Sequence, residues 1–226
     1  MKLLSASFLL IDTSDRIAMI GIYDGDEILW ETRASVGRPS LHWISHCLAE
    51  AEQATGHSIK DMKFLACGTG PGGFTSVRIG LSFMKAASQT LKIPILGVNR
   101  LEAAALGQAL KFPADRTARY VVRLPAARNL EYFAVYRPQP GRLPVCVREP
   151  AALDLEAISK IRKLQSDTVV TPDPEIFYLG LPRLAALKAS AGKFDSAETL
   201  VPLYLRGATL GPPSESLTVA RRRGVR

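Results

Sequence analysis

The stretch "GTGPGGFTSVRIG" over residues 68–80 contains the residue types best suited to binding a phosphate. It follows an apolar run typical of a strand and precedes a pattern that predicts a helix over 74–91. The first amides of a helix lack intrahelical partners, and the helix dipole is positive there, so Gly70 and Gly72 are candidates for a phosphate contact. The alternative is that these glycines only let a helix begin close to a neighbouring surface.

The nucleotide motifs that this turn could represent match it poorly. A phosphate-loop NTPase needs Lys followed by Ser or Thr after the last glycine, whereas Phe74 and Thr75 follow it here. Gly68, Gly70 and Gly73 meet the dinucleotide-binding spacing, but no acidic residue ends a second strand about 20 residues later. The turn by itself therefore does not predict nucleotide binding.

The metal-ligating residue types are scattered. His42 and His46 are four apart on one predicted helix, on its polar side and without a third ligand, so we interpret them as surface residues. The three cysteines are far apart in the sequence and form no C-x-x-C pair, which favours neither a disulfide framework nor a zinc site. The sequence therefore predicts no metal site and a reducing, cytoplasmic location.

Two predicted helices have more apolar surface than one sheet requires. In the helix predicted from Pro39 to residue 55, the apolar residues fill an arc of roughly 160°, compared with the stripe of about 100° that suffices against one sheet. In the helix over 74–91, small residues mark the centre of the apolar arc, a pattern that allows close approach of another helix. Burial within its own domain is the alternative. The predicted partner-binding residues are Trp43, Cys47, Ser76, Val77, Gly80, Met84 and Ala87.

These helices belong to a predicted α/β chain with two lobes. Three antiparallel strands open the sequence, with Asp24-Gly25 as a hairpin turn, and a β-α-β-α alternation then implies parallel strands in the same mixed sheet. A proline and a shift to Arg-rich composition place a boundary near residue 113. We therefore predict an N-terminal lobe over 1–113, a smaller C-terminal α/β lobe over 114–206, and a basic mobile tail over 207–226.

The net charge of +8 is concentrated in the second half of the chain. Residues 1–113 hold 11 Lys/Arg and 10 Asp/Glu, whereas residues 114–226 hold 18 and 11. Such a bias favours polyanionic partners such as tRNA, although a soluble protein can be basic without one. The tail, with four arginines, fits either a solvated extension or an RNA-binding arm. The apolar start of the chain is short and is interpreted as a first strand, and no segment predicts a membrane span.

Six segments in a fixed order carry a resemblance to a known family. They are "IDTS", "DG", "GTGPGGFTSVRIGLSFMKAAS", "IPILGVNRLEA", "EYFAVY" and "PLYLR", which together span roughly residues 6–206. This series resembles the TsaB (YeaZ) family, and the "GPG-x-FT-xx-R-I-G" segment is its most distinctive part. Gly73 and Ser76 depart from the family pattern, in which Ser and Gly are usual at these places.

The resemblance implies the two-lobed, actin-like ATPase (ribonuclease H-like) fold, with mixed sheets flanked by helices. It also implies a non-catalytic partner of the paralogue TsaD, in the complex that makes threonylcarbamoyladenosine on tRNA together with the ATPase TsaE. Asp12, Thr13 and Ser14 would then occupy the place of the first phosphate loop of actin-like ATPases, as a vestigial site. The alternative is a polar turn that caps backbone amides.

The same resemblance predicts the loss of metal chemistry. TsaD has two metal-binding histidines in a stretch like "GVNHLEGH", whereas residues 97–104 here read "GVNRLEAA". Arg100 has no lone pair to offer a metal, and Ala104 has no ligand atom. We therefore expect no cofactor of the chain's own, with nucleotide possible only at the interface with a partner.

The sequence thus predicts a scaffold and activator of TsaD that presents the helices at 39–55 and 74–91, and that forms a homodimer when alone. One alternative is an independent small-molecule kinase or ATP hydrolase of the same fold. Another is a tRNA-binding module that acts through its Arg-rich tail.

Overall fold

The computed structural model describes residues 6–35, 40–112, 118–126, 129–161, 167–171 and 173–205. The predicted boundary near residue 113, the helix start at Pro39 and the tail over 207–226 lie outside these residues. No helix among the described residues has the length and apolarity needed to cross a membrane.

The first sheet has five strands in the order β3-β2-β1-β4-β5. The first three strands form an antiparallel meander; β4 pairs parallel with β1, and β5 pairs parallel with β4. Gly25 occupies the tight turn between β2 and β3 with φ of 58°, a left-handed conformation that favours glycine. The strands are β1 Ser7–Asp12, β2 Ile17–Asp24, β3 Glu27–Ser35, β4 Phe64–Gly70 and β5 Ile95–Asn99.

Helices α1 (Leu41–Thr55) and α2 (Phe74–Leu91) pack on one face of this sheet. Ser40 caps α1 by accepting the backbone N–H of Trp43, and Gly56 ends it with φ of 71°. Their buried side chains join residues of β1, β2, β4 and β5 in one hydrophobic cluster. A short 3₁₀ turn, Ile59–Asp61, leads from α1 into β4.

The second sheet has four strands in the order β8-β7-β6-β9. Its first three strands form an antiparallel meander, and β9 is parallel to β6. The elements are β6 Arg119–Pro125, β7 Leu130–Arg137, β8 Val145–Asp154, α4 Leu155–Ser159 and β9 Asp167–Val170. The Asp154 side chain accepts the backbone N–H of Ala157, so Asp154 caps α4 and the helix begins at Leu155.

Two helices, α3 (Arg100–Lys111) and α5 (Pro174–Ser190), join the sheets. A single hydrophobic cluster contains residues of both helices together with residues of both sheets, such as Phe8 and Leu96 from the first and Tyr120 and Val122 from the second. The predicted α/β fold, with two mixed sheets flanked by helices, is confirmed. The carboxyl ends of β1, β4 and β5 meet at one edge of the first sheet, where the polar residues of the candidate site lie.

Candidate functional site

Three consecutive polar residues at the end of β1 and the start of the following turn are buried: Asp12, Thr13 and Ser14. The backbone N–H of Ser14 donates to Asp12 Oδ1 at 3.0 Å, as in the capping turn considered from the sequence. Thr13 Oγ1 donates to the carbonyl of Ser76 at 2.6 Å and accepts the N–H of Gly80 at 3.2 Å. The Thr13 hydroxyl therefore fastens the end of β1 to α2.

The glycine-rich turn packs directly on this turn. The N–H of Gly73 donates to the carbonyl of Ser14 at 2.9 Å, and a Cβ added to Gly72 would overlap that same carbonyl. Gly68 lies equally close to the Asp12 side chain, and Gly70 adopts φ of 87°. At these points the glycines allow close backbone approach between two loops, the alternative considered for the sequence. A phosphate contact at Gly70 and Gly72 stays a prediction.

Arg100 is the buried cation of the site. Its side chain, at the first position of α3, places Nη2 2.8 Å from Asp15 Oδ2 and Nε 3.4 Å from Asp12 Oδ2. Nη1 donates to the carbonyl of Pro71 at 3.4 Å, and the guanidinium carbon lies 4.3 Å from the ring centroid of Phe177. One side chain thus connects the turn after β1, the glycine-rich turn, α3 and α5.

The electrostatics of this group follow from its geometry. Partial burial raises the pKa of Asp15, but the Arg100 guanidinium, the Arg16 backbone N–H and the Arg16 charge outweigh it, so the pKa lies below its usual value. Asp12 is only 3% exposed, and a carboxyl group buried to this degree favours a nearby cation. Among the described residues, Arg100 Nε and Ser14 Oγ are the buried side-chain polar atoms without a hydrogen-bond partner.

Arg100, which the resemblance aligns with a metal-binding histidine of TsaD, is itself a buried cation. Ala104, one helical turn after Arg100, is buried in the cluster that joins the two sheets. His42 and His46 are exposed on α1, where His46 pairs with Glu50. No group of three or more His, Cys, Asp or Glu suited to a metal occurs in the part of the chain that the structure describes.

Of the seven predicted partner-binding residues, Cys47, Val77, Gly80 and Met84 are buried within this chain. A Cβ added to Gly80 would lie 2.6 Å from Thr13 Oγ1, so this glycine admits the chain's own β1 turn and not an incoming helix. Trp43, Ser76 and Ala87 are partly exposed. The sequence prediction assigned the buried and the partly exposed residues to the same apolar arc. Helical spacing alone does not separate side chains that face the sheet from those beside them.

A partly exposed apolar surface does remain on α1 and α2. We call it the helix-pair surface; its residues pack against the core cluster on one side and keep exposed area on the other. Leu41 and Phe74, at the N-terminal ends of the two helices, are 57% and 44% exposed. The helix-pair surface consists of Trp43, Leu48, Ile79, Phe83 and Ala87.

An aromatic group borders α2 at its N-terminal end. The guanidinium carbon of Arg78 lies 3.7 Å from the Phe74 ring centroid, and Arg78 Nε donates to the Tyr204 hydroxyl at 2.6 Å. Tyr204 belongs to a segment, residues 194–205, that crosses α2 and the first sheet. The N–H of Leu203 donates to the Thr69 carbonyl, and Lys85 Nζ donates to the Leu200 carbonyl.

Sequence reasoning missed two features of the site. Asp15 was not among the predicted site residues, and Arg100 was identified only as a residue that cannot ligate a metal. An arginine at the start of a helix after a buried parallel strand could have suggested a carboxylate partner. No sequence pattern links it to Asp12 and Asp15, which precede it by more than 80 residues.

Comparison with known proteins places these features in context. The family model for TsaD, tRNA N6-adenosine threonylcarbamoyltransferase, matches residues 34–167, more than half of the chain. The chain is 38% identical over 80 residues to the tRNA N6-adenosine threonylcarbamoyltransferase of Geotalea uraniireducens, which covers 34% of this chain and 23% of that protein. It is 34% identical over 83 residues to the tRNA threonylcarbamoyladenosine biosynthesis protein TsaB of Escherichia coli. That alignment covers 37% of this chain and 35% of that protein.

These alignments span less than two thirds of the curated relatives that the chain matches. Among solved structures, YeaZ from Pseudomonas aeruginosa superposes with a TM-score of 0.69 over 88% of this chain and 100% of that chain. The sequence identity of that pair is 19%, so the likeness concerns the fold.

Proposed function

Because this chain belongs to the TsaD family, in its TsaB/YeaZ group, we propose that it is a non-catalytic subunit of a complex that transfers a threonylcarbamoyl group to tRNA. The accepting base is the adenosine next to the anticodon, and the transferase site belongs to TsaD. The chain acts on TsaD as scaffold and activator.

The observation that supports this proposal most directly is the environment of Arg100. The resemblance aligns Arg100 and Ala104 with the two metal-binding histidines of TsaD, and neither residue can ligate a metal at neutral pH. Arg100 also pairs with the two carboxylates nearest to it, Asp12 and Asp15. A chain with this arrangement does not itself carry the metal-dependent step of its paralogue.

The partner surface that we propose is the helix-pair surface together with Leu41 and Phe74. Docking would bury apolar area that the chain's own sheet leaves partly uncovered. At about 25 cal/mol per Å², an interface of roughly 800 Å² per partner suffices to hold a complex after the association costs. The buried Val77, Gly80 and Met84 contribute by holding α2 against the first sheet and not by contact with the partner.

Further components of the proposal follow from the family. TsaE joins the assembly and tRNA binds to the complex; nucleotide binds only at an interface between subunits. In the absence of TsaD the same helix surfaces of two copies pair with each other, so the isolated chain is a homodimer. The proposed location of the chain is the cytoplasm.

Co-purification with the TsaD protein of the same organism tests the proposal. Ile79→Arg and Phe83→Asp place charge on the partly exposed apolar surface of α2, and Gln89→Asp places charge on an exposed position of the same helix. We expect the first two variants to lose binding to TsaD and to be monomeric when isolated. Gln89→Asp should behave as the unmodified protein.

Thermal unfolding of each variant separates loss of docking from loss of folding. A complex that persists in both Ile79→Arg and Phe83→Asp, with unchanged unfolding temperatures, would contradict the proposed surface. Threonylcarbamoyl transfer by the purified chain without TsaD would contradict its non-catalytic role.

A further inference from the structure

A cavity of about 220 Å³ opens beside the Arg100 group and is not used by the proposed function. Its inner wall is apolar and comes from β2 and α5, with Met19, Phe177 and Leu181 buried. Its polar side is formed by Asp12, Asp15, Arg16 and Arg100, at the junction of the first sheet with α5.

The size of the cavity restricts its ligand. Its volume is that of roughly seven water molecules in the liquid. Pockets that hold drug-sized ligands are larger. An intact nucleotide would extend beyond a cavity of this size, and its phosphates would face two carboxylates as well as two guanidiniums. The cavity therefore suits a compact molecule with an apolar body.

The charges of the lining restrict the ligand further. Two carboxylates and two guanidiniums give the lining no net charge, which favours a neutral or zwitterionic ligand. Asp15 is half exposed, and its carboxylate has accepting capacity beyond the Arg16 backbone N–H and Arg100 Nη2. Arg16 is exposed and forms no ion pair within contact distance among the described residues, although its charge acts on Asp15, so its guanidinium can take an anionic group.

The polar side also includes one buried atom without a hydrogen bond. Arg100 Nε is buried and makes no hydrogen bond, although it lies 3.4 Å from Asp12 Oδ2. A buried N–H without a hydrogen bond costs free energy, so this side of the cavity is the less satisfied one. A bare divalent cation is not favoured, because Arg100 already occupies the space between the two carboxylates.

We propose that this cavity binds a free α-amino acid. The ammonium group would pair with Asp15, the carboxylate with Arg16, and an apolar side chain would lie against Ile17, Phe177 and Leu181. The inference goes beyond the proposed function and does not depend on it, since the cavity lies on the α3–α5 side and not on the helix-pair surface.

Binding to the full chain is tested by isothermal titration and ligand-observed NMR with L-leucine and L-phenylalanine. Isopentylamine and isovalerate serve as probes that have one charged group only, and ATP with magnesium as a nucleotide probe. We expect saturable binding of the amino acids in the millimolar range or tighter, and at least about tenfold weaker binding of both single-charge probes.

Asp15→Asn and Arg16→Gln should each weaken amino-acid binding by about tenfold or more, since each removes one charge pair. Ile17→Trp, which fills the cavity, should abolish it. Arg142→Gln, at an exposed turn outside the cavity lining, is the matched control and should bind as the unmodified protein. Thermal unfolding confirms that each variant is folded.

Three results would overturn the inference. They are the absence of saturable binding by either amino acid, equal binding by the Asp15→Asn and Arg16→Gln variants, and competition for the cavity by ATP. None of these results bears on co-purification with TsaD, so a failure here is distinct from a failure of the proposed function.

Discussion

At the scale of single residues, Arg100 joins several elements of this chain through one buried side chain. Arg100 is 6% exposed, and its guanidinium pairs with Asp12, contacts the glycine-rich turn and lies against the Phe177 ring. Buried ion pairs are not in themselves a source of large stability, but removing one partner leaves an uncompensated charge. The consequence can be measured.

Arg100→Ala should lower the free energy of unfolding by about 3–5 kcal/mol, because it leaves the Asp12 carboxylate buried without a cation. Urea unfolding followed by far-UV circular dichroism measures the change. Arg100→Lys keeps the charge but loses the planar guanidinium, so its free energy of unfolding should lie between those of Arg100→Ala and the unmodified chain. The exposed control Arg142→Ala should change the value by less than about 0.5 kcal/mol. Equal stability of Arg100→Ala and the unmodified chain would refute the role of Arg100.

Glu102, two residues further along α3, gives a pH-dependent prediction. Burial raises the pKa of its carboxyl group, although Lys188 opposes the shift. The folded state therefore retains this proton to higher pH than the unfolded state does, and stability from this group is lost as pH rises through the raised pKa.

Glu102→Gln mimics the protonated form, so its unfolding temperature relative to the unmodified chain should increase as the pH is raised from about 4.5 to 8. Thermal scans at a series of pH values test this. The control Glu52→Gln, on the exposed side of α1, should show no such trend. A relative unfolding temperature that falls with pH would contradict the raised pKa.

At the scale of elements, the crossing of α3 and α5 depends on two glycines. A Cβ added to Gly107 would overlap the carbonyl of Ile176, and one added to Gly180 would overlap the carbonyl of Ala103. These two contacts bring the helix backbones together between the sheets. The sequence displays both glycines inside helices, where glycine is otherwise unfavourable.

Gly107→Ala distinguishes helix propensity from packing at the crossing, because the two change the free energy of unfolding in opposite directions. Helix propensity alone predicts a gain of about 1 kcal/mol, whereas overpacking at the crossing predicts a loss of about 1–3 kcal/mol. We expect the loss, measured by urea unfolding. Ser82→Ala, at an exposed position within α2, provides the control for propensity alone and should change stability by less than about 0.5 kcal/mol. A more stable Gly107→Ala variant would argue against the close crossing.

At the scale of the whole molecule, the two sheets share one hydrophobic cluster through α3 and α5. Polar contacts reinforce this junction: Lys188 Nζ donates to the Gly97 carbonyl at 2.9 Å, and the guanidinium carbon of Arg33 lies 3.8 Å from the Tyr178 ring centroid. A core that is shared in this way couples the unfolding of the two sheets.

We therefore expect one cooperative unfolding transition. Both tryptophans, Trp30 and Trp43, lie on the side of the first sheet, so their fluorescence reports that part, whereas far-UV circular dichroism reports the whole chain. The two signals should give the same urea midpoint, and Gly107→Ala should shift both together. Separate midpoints would indicate that the predicted lobes over 1–113 and 114–206 unfold independently.

The sequence determined most of the secondary structure, because these signals are local. Period-2 and period-3.6 patterns, the Asp24-Gly25 turn and the proline and glycine positions depend on neighbours within a few residues. It also determined that Arg100 and Ala104 provide no metal ligands, since this depends only on side-chain chemistry. The family resemblance follows from the same residues.

The tertiary structure alone decided which apolar helix residues face the sheet. Cys47, Val77 and Met84 lie on the core side, and Trp43 and Ala87 beside them remain partly exposed. It alone brought Asp12, Asp15 and Arg100 together and formed the cavity next to α5. The physical reason is that such contacts join residues far apart in the chain, and their partners are selected by packing of whole elements and not by local conformational preference.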